Sequence, residues 1–178
     1  MKTSRFIFFY ALSLIALTLV FHWPLVRNIQ ASVACGNTTD PSVSIWLIAR
    51  NNDALLQDPS HFFDANIFHP IKNTLSFNEH QFSQSFFGAP FYWISRDPLL
   101  TYNILFLASF VLAGLGMFFF VLHLTKNPWV AAASGLFFAF APLRFFRSCH
   151  IQYLMTWTLP FFLLFFDRWL HVPNWKDA

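Results

Sequence analysis

A chain of 178 residues with 56% hydrophobic, 21% aromatic and only 11% charged side chains falls far short of the roughly 25% charge usual in soluble domains. Its 26 phenylalanines present more apolar surface than one small soluble core can hide, so composition predicts an all-α membrane protein. The formal net charge of +3 is scattered, with no run of Lys or Arg, which argues against a nucleic-acid partner.

In chain order, Lys2 and Arg5 precede an uncharged run from Phe6 to Phe21. A secretory signal peptide can open this way. However, the stretch that follows is long for a cleavage region, and Ser32-Val33-Ala34-Cys35 only loosely resembles a lipoprotein box. The preferred reading is an uncleaved first span over residues 6–26, with Lys2 and Arg5 cytoplasmic and His22 and Trp23 marking the outer interface.

Residues 27–97 then make a long extracytoplasmic loop that holds six of the eight carboxylates. Asn37-Thr38-Thr39 in it matches the N-glycosylation triplet, a weak pattern. Apolar Val43, Trp46, Leu47 and Ala54, with Ile45, Ile48 and Leu55 beside them, predict a surface helix over 43–56 lying along the membrane. Ser76 and Glu79 read as an S-x-x-E capping box that opens a second surface helix over 78–88, with Phe82 and Phe86 one turn apart.

Residues 98–123 are long and uncharged enough to span, and Ala113, Gly114 and Gly116 offer a close-packing site. After the turn Thr125-Lys126-Asn127-Pro128, a third apolar run over 128–143 is short for a span and is expected to bend near Pro142. Residues 151–170 make a fourth, and 171–178 a polar cytoplasmic tail. About four transmembrane helices result, with N- and C-termini both cytoplasmic. Lys2, Arg5, Lys126, Arg168 and Lys176 then lie inside, whereas Arg144 and Arg147 oppose the charge rule and share the side of the acidic loop.

Three groups could carry chemistry. Asp40, just after the first span, reads either as a catalytic carboxylate or as the N-cap before Pro41; Asp58-Pro59, Asp97-Pro98 and Asn127-Pro128 repeat that capping pattern. Glu79 and His80 pair an acid with an imidazole, able to move a proton or bind a divalent metal, unless Glu79 only closes the capping box. His69 before Pro70 could add to them. Arg144, Arg147 and His150 read either as snorkelling to head groups or as a cationic pocket for phosphate. Cys35 and Cys149 have neither zinc spacing nor a CxxC pair; they share the outer side and could form a disulfide, which the spacing does not demand.

The order of these features carries a resemblance: Asp40-Pro41, the Ile45-Trp46-Leu47 helix, Phe62-Phe63-Asp64, His69-Pro70, Ser76-Phe77-Asn78-Glu79-His80, Ala89-Pro90 ahead of Asp97-Pro98, then Phe138-Ala139-Phe140-Ala141-Pro142-Leu143-Arg144 and His150-Ile151-Gln152. Nearly the whole chain resembles the N-terminal part of GT-C-type integral membrane glycosyltransferases, bacterial multi-pass members above all. The resemblance implies sugar transfer from a polyprenyl-phosphate donor, outside the bacterial cytoplasmic membrane and generally with inversion. It implies Asp40 acting at the acceptor or a metal, Glu79 as a second acid, and Arg144, Arg147 and His150 holding the donor phosphate. If a divalent metal, Mg²⁺ or Mn²⁺, takes part, Asp40 and Glu79 are its implied ligands. Members of the family carry more spans than this chain, so a fragment is expected, whose fold further membrane chains would complete. The alternatives are a non-catalytic membrane scaffold or assembly partner and, more weakly, a transporter fragment, which would be expected to bury ionisable groups within its spans.

Overall fold

The computed structural model describes residues 3–35, 39–77 and 79–171. Lys2, the Asn37-Thr38-Thr39 triplet's first two residues, Asn78 and the tail from 172 onward lie outside the described residues. Among the described residues the chain is all-helical with no strand: α1 Thr3–Phe21, α2 Trp23–Arg27, α3 Thr39–Gln57, α4 Phe82–Ser95, α5 Pro98–Thr125, α6 Pro128–Ala139, α7 Pro142–Phe146, α8 Ile151–Leu154 and α9 Thr158–Leu170. Three stretches are long and apolar enough to cross a membrane: Ser4–Phe21, Pro98–Thr125 and Pro128–Phe146. The expected fourth is divided into α8, a 3-10 turn over Met155–Trp157 and α9. At 13 residues, α9 is about 20 Å long, well short of a hydrocarbon core of roughly 30 Å.

Several sequence signals act as expected. Leu100 N–H donates to Asp97 Oδ1 at 2.9 Å, so Asp97 caps α5 with Pro98 in its first turn. Asn127 Oδ1 accepts from the N–H groups of Trp129 and Val130 at 3.0 and 3.3 Å and caps α6. The third apolar run breaks ahead of Pro142, where α6 stops and α7 begins.

The chain divides into two compact units. The first takes residues 1–23, 106–148 and 153–178. Its core gathers Tyr10, Leu14, Phe118, Ala131 and Ala139, with Tyr10 stacked on Phe118 at 4.7 Å. Glycine is required at one crossing. A Cβ on Gly135 would stand 2.5 Å from the Gly114 carbonyl oxygen and closer still to the Tyr10 hydroxyl. His22, expected at an interface, is buried instead among Phe106, Phe110 and Phe145 and donates from Nδ1 to the Thr18 carbonyl at 3.0 Å.

The second unit takes residues 24–105 and 149–152. Ile48, Tyr102, Leu105 and Ile151 form its apolar centre. The inner face of α3 is half polar: Ser44, Asn51 and Asn52 are buried with Leu47 and Ile48, at helical spacing. Their partners come from α4 and its approach. Asn51 Nδ2 donates to the His80 carbonyl at 2.7 Å and to Ser85 Oγ at 2.9 Å, Asn52 Nδ2 to the Ser85 carbonyl at 3.2 Å, and Gln81 Nε2 to Ser44 Oγ at 2.9 Å. Farther along, Tyr92 OH donates to Asp53, which also meets Arg96 at 3.4 Å; burial first, and then Asp53, raise the Tyr92 phenol above its ordinary pKa.

The helix expected over 78–88 is displaced. Ser76 belongs to a 3-10 turn, Thr74–Phe77, and Glu79 and His80 precede the helix, so no capping box opens it. Gln81 stands ahead of α4 in the left-handed region at φ 47°, and α4 runs on through Pro90 to Ser95. The connection between α3 and α4 is held by Arg50, whose guanidinium donates to the carbonyls of His61, Phe62 and Asp64. His69 is exposed before a cis-proline, Pro70.

Candidate functional site

Four consecutive residues of the second unit, Cys149 to Gln152, each make a long-range contact. Cys149 forms a disulfide with Cys35, the Cα atoms 5.2 Å apart. His150 Nε2 lies 3.5 Å from Asp40 Oδ2. Ile151 is fully buried in the apolar centre. Gln152 Nε2 donates to Glu79 Oε2 at 2.8 Å. One short segment thus brings partners to both carboxylates that the sequence singles out. With its sulfur in the disulfide, Cys35 cannot also carry the thioether of a lipoprotein.

Asp40 stands inside the first turn of α3, which starts at Thr39. A carboxylate there complements the helix dipole. Its side chain and that of His150 are both partly open to solvent. A carboxylate held by an imidazole and reachable from solvent is a suitable proton acceptor for a hydroxyl. Asp58, in contrast, is taken up locally: Ser60 Oγ donates to Oδ1 at 2.7 Å and His61 Nδ1 lies 2.9 Å from Oδ2, contacts that hold its carboxyl below the ordinary range.

Glu79 and His80 line a cavity of about 810 Å³ with Ser76, Ser83, Gln84 and Gln152, and Phe77 and Phe82 complete its wall. His80 does not share a helix face with Gln84, since it precedes α4; its Nδ1 accepts from the Phe82 N–H at 3.2 Å. Gln152 Oε1 is buried without a hydrogen-bond partner. The lining offers amides, a carboxylate, an imidazole and hydroxyls together with two aromatic rings.

The trio Arg144, Arg147 and His150 is divided. His150 belongs to the second unit; Arg144 and Arg147 belong to the first, where they line a largely apolar cavity of about 460 Å³ with Phe138, Leu143, Tyr153 and Thr156. Arg144 is 7% exposed. It donates to Thr156 Oγ1 at 2.6 Å, to the Ser109 carbonyl at 3.0 Å and Oγ at 3.2 Å, and to the Leu154 carbonyl at 3.2 Å. It also lies over the Phe110 ring at 4.8 Å. Neither alternative for Arg144, a head-group snorkel or a free phosphate clamp, describes this arrangement; only its buried Nε lacks a partner. Arg147 is exposed over the rings of Phe146 and Tyr153.

A divalent metal at Asp40 and Glu79 stays with the resemblance alone. Among the described residues no three His, Cys, Asp or Glu stand together as ligands; Asp40 meets an imidazole and Glu79 an amide. The residue that the pattern reading passed over is Gln152 as the partner of Glu79, because a lone glutamine 73 positions away leaves no periodic signal. Comparison with protein-family models, with curated proteins and with solved structures gives no match.

Proposed function

We propose that the chain is the N-terminal module of a GT-C-type membrane glycosyltransferase, which moves a sugar from a polyprenyl-phosphate donor to an acceptor outside a bacterial cytoplasmic membrane. In this reading residues 151–170 make a fourth crossing, both termini are cytoplasmic, and further membrane segments complete the donor pocket. The observation that supports it most is Asp40 beside His150 at 3.5 Å, next to the disulfide-bound Cys149.

Asp40 takes the proton of the acceptor hydroxyl as that oxygen attacks the anomeric carbon. The bond from this carbon to the lipid phosphate breaks, and its electron pair leaves on the phosphate oxygen. His150 orients the carboxylate. The cavity of Glu79, His80, Gln84 and Gln152 suits sugar hydroxyls, with Phe77 and Phe82 for the apolar face of the ring. The resemblance assigns the departing phosphate to Arg144 and Arg147.

The test is transfer of radiolabelled sugar, from a panel of polyprenyl-phosphate hexoses and pentoses, by the full-length gene product in membranes. Asp40→Asn is expected to lower transfer by about a hundredfold or more with insertion unchanged; normal transfer by that variant would sink the assignment. The scaffold alternative draws on Arg144, whose donors go mainly to protein groups. It expects no transfer from the wild type and no effect of Asp40→Asn or Asp40→Ser.

A further inference from the structure

At the end of α5 opposite its Asp97 cap, the first unit carries a second cationic site that the transfer reaction does not use. A groove of about 410 Å³ is walled by Phe119 of α5 and by Phe161 and Phe165 of α9, and closed at one end by Lys126, His123 and Arg168. Lys126 follows the last residue of α5, in the turn ahead of α6, and is exposed; Arg168 is exposed in the last turn of α9. Neither forms an ion pair among the described residues.

The carboxylate nearest them in sequence, Asp167, is already engaged. It accepts from His123 Nε2 at 2.8 Å and lies 3.7 Å from His171 Nδ1. Its carboxylate is thus held by two imidazoles, and neither long cation pairs with it. From Phe119 to Lys126 the helix rises about 10 Å, so the aromatic wall runs into the span from a mouth at the level where the apolar stretch ends. A charged mouth above an apolar trough fits an amphiphile with an anionic head, and basic pockets between membrane helices are suited to phospholipid head groups.

We propose that this groove binds an anionic glycerophospholipid of the bilayer, its phosphate between Lys126 and Arg168 and an acyl chain along Phe119, Phe161 and Phe165. The inference rests on the ends of α5 and α9 reaching one face of a bilayer and not on the transferase reading, so an inactive or active Asp40→Asn variant leaves it untouched.

The experiment is native mass spectrometry of the detergent-purified full chain, titrated with dioleoyl-phosphatidylglycerol or dioleoyl-phosphatidylcholine. Wild type is expected to retain phosphatidylglycerol preferentially. Lys126→Met and Arg168→Met, which keep the apolar stems, should each weaken it about fivefold, and the pair about 25-fold if the two act independently. Phosphatidylcholine binding should be unchanged. Lys72→Met removes the same charge outside the groove and should retain phosphatidylglycerol as wild type does. Equal retention of the two lipids, an unchanged double variant, or an equal loss in Lys72→Met would each overturn the site. Should the double variant not fold, Lys126→Met alone decides, because that side chain is exposed on a turn.

Discussion

At the scale of single residues, the second unit is held by buried amides as well as by apolar side chains. Asn51 is 0% exposed and its Nδ2 serves both the His80 carbonyl and Ser85 Oγ. Asn51→Leu leaves the buried Ser85 Oγ and the His80 carbonyl without this donor and should cost about 1–3 kcal/mol, read as a lower unfolding midpoint of the purified protein. Asn51→Asp is expected to be worse, since it turns a carboxylate toward the same carbonyl in a site without a cation. A variant as stable as wild type would show that Asn51 fills space and no more. The first unit gives the opposite case. The Tyr10 hydroxyl is buried without a partner and fills the space that a Cβ on Gly135 would need. Tyr10→Phe should therefore be neutral or stabilising, whereas Gly135→Ala should cost about 1–3 kcal/mol by overpacking. Combining the two should recover part of that loss, because the Gly114 carbonyl remains 2.5 Å from the new Cβ.

At the scale of elements, what the sequence discloses follows the range of the interaction. The caps at Asp97 and Asn127, the turn between α5 and α6 and the break ahead of Pro142 rest on neighbours a few positions apart, and each was legible. The capping box at Ser76 and Glu79 is equally local, yet it is not formed, because Asn51 claims the His80 carbonyl from 29 positions away and Gln81 turns left-handed toward Ser44. Asp40 and Glu79 stood out by residue type, but their partners His150 and Gln152 did not, since only folding brings them together. The disulfide is the strongest of these distant contacts, closing a separation of 114 residues. Removing it with Cys35→Ser and Cys149→Ser should cost roughly 2–5 kcal/mol. It should also raise hydrogen exchange at residues 149–152 and the reactivity of His150 toward diethyl pyrocarbonate. Unchanged exchange there would mean that Ile151 and the two polar contacts hold the segment without the disulfide.

At the scale of the whole molecule, the disulfide bears on topology independently of the charge rule. A Cys35–Cys149 bond needs both cysteines on one oxidising side. Two of the candidate spans, Pro98–Thr125 and Pro128–Phe146, lie between them in the chain, and an even number of crossings returns the chain to the same side. If Ser4–Phe21 also crosses, the N-terminus is expected on the other face. In that topology Arg144 and Arg147, the two cations that break the positive-inside pattern, precede Cys149 on the oxidising side; the hydrogen bonds of Arg144 to Ser109, Leu154 and Thr156 would give it a reason to be there that lipid charge does not supply. The far end turns on residues 151–170, where α8, a 3-10 turn and the 13-residue α9 replace one continuous helix. A broken segment of 20 residues can still cross if its freed backbone groups are met by protein, and Arg144 meets the Leu154 carbonyl at the break. Crossing is therefore the expected outcome. Alkaline phosphatase fused after Lys72 should be active, and fused after Ala178 it should be inactive, with a green fluorescent fusion at that same point bright. An active phosphatase after Ala178 would place α9 back on the outer side, and Lys126 and Arg168 would then face opposite compartments, which the phospholipid groove could not survive.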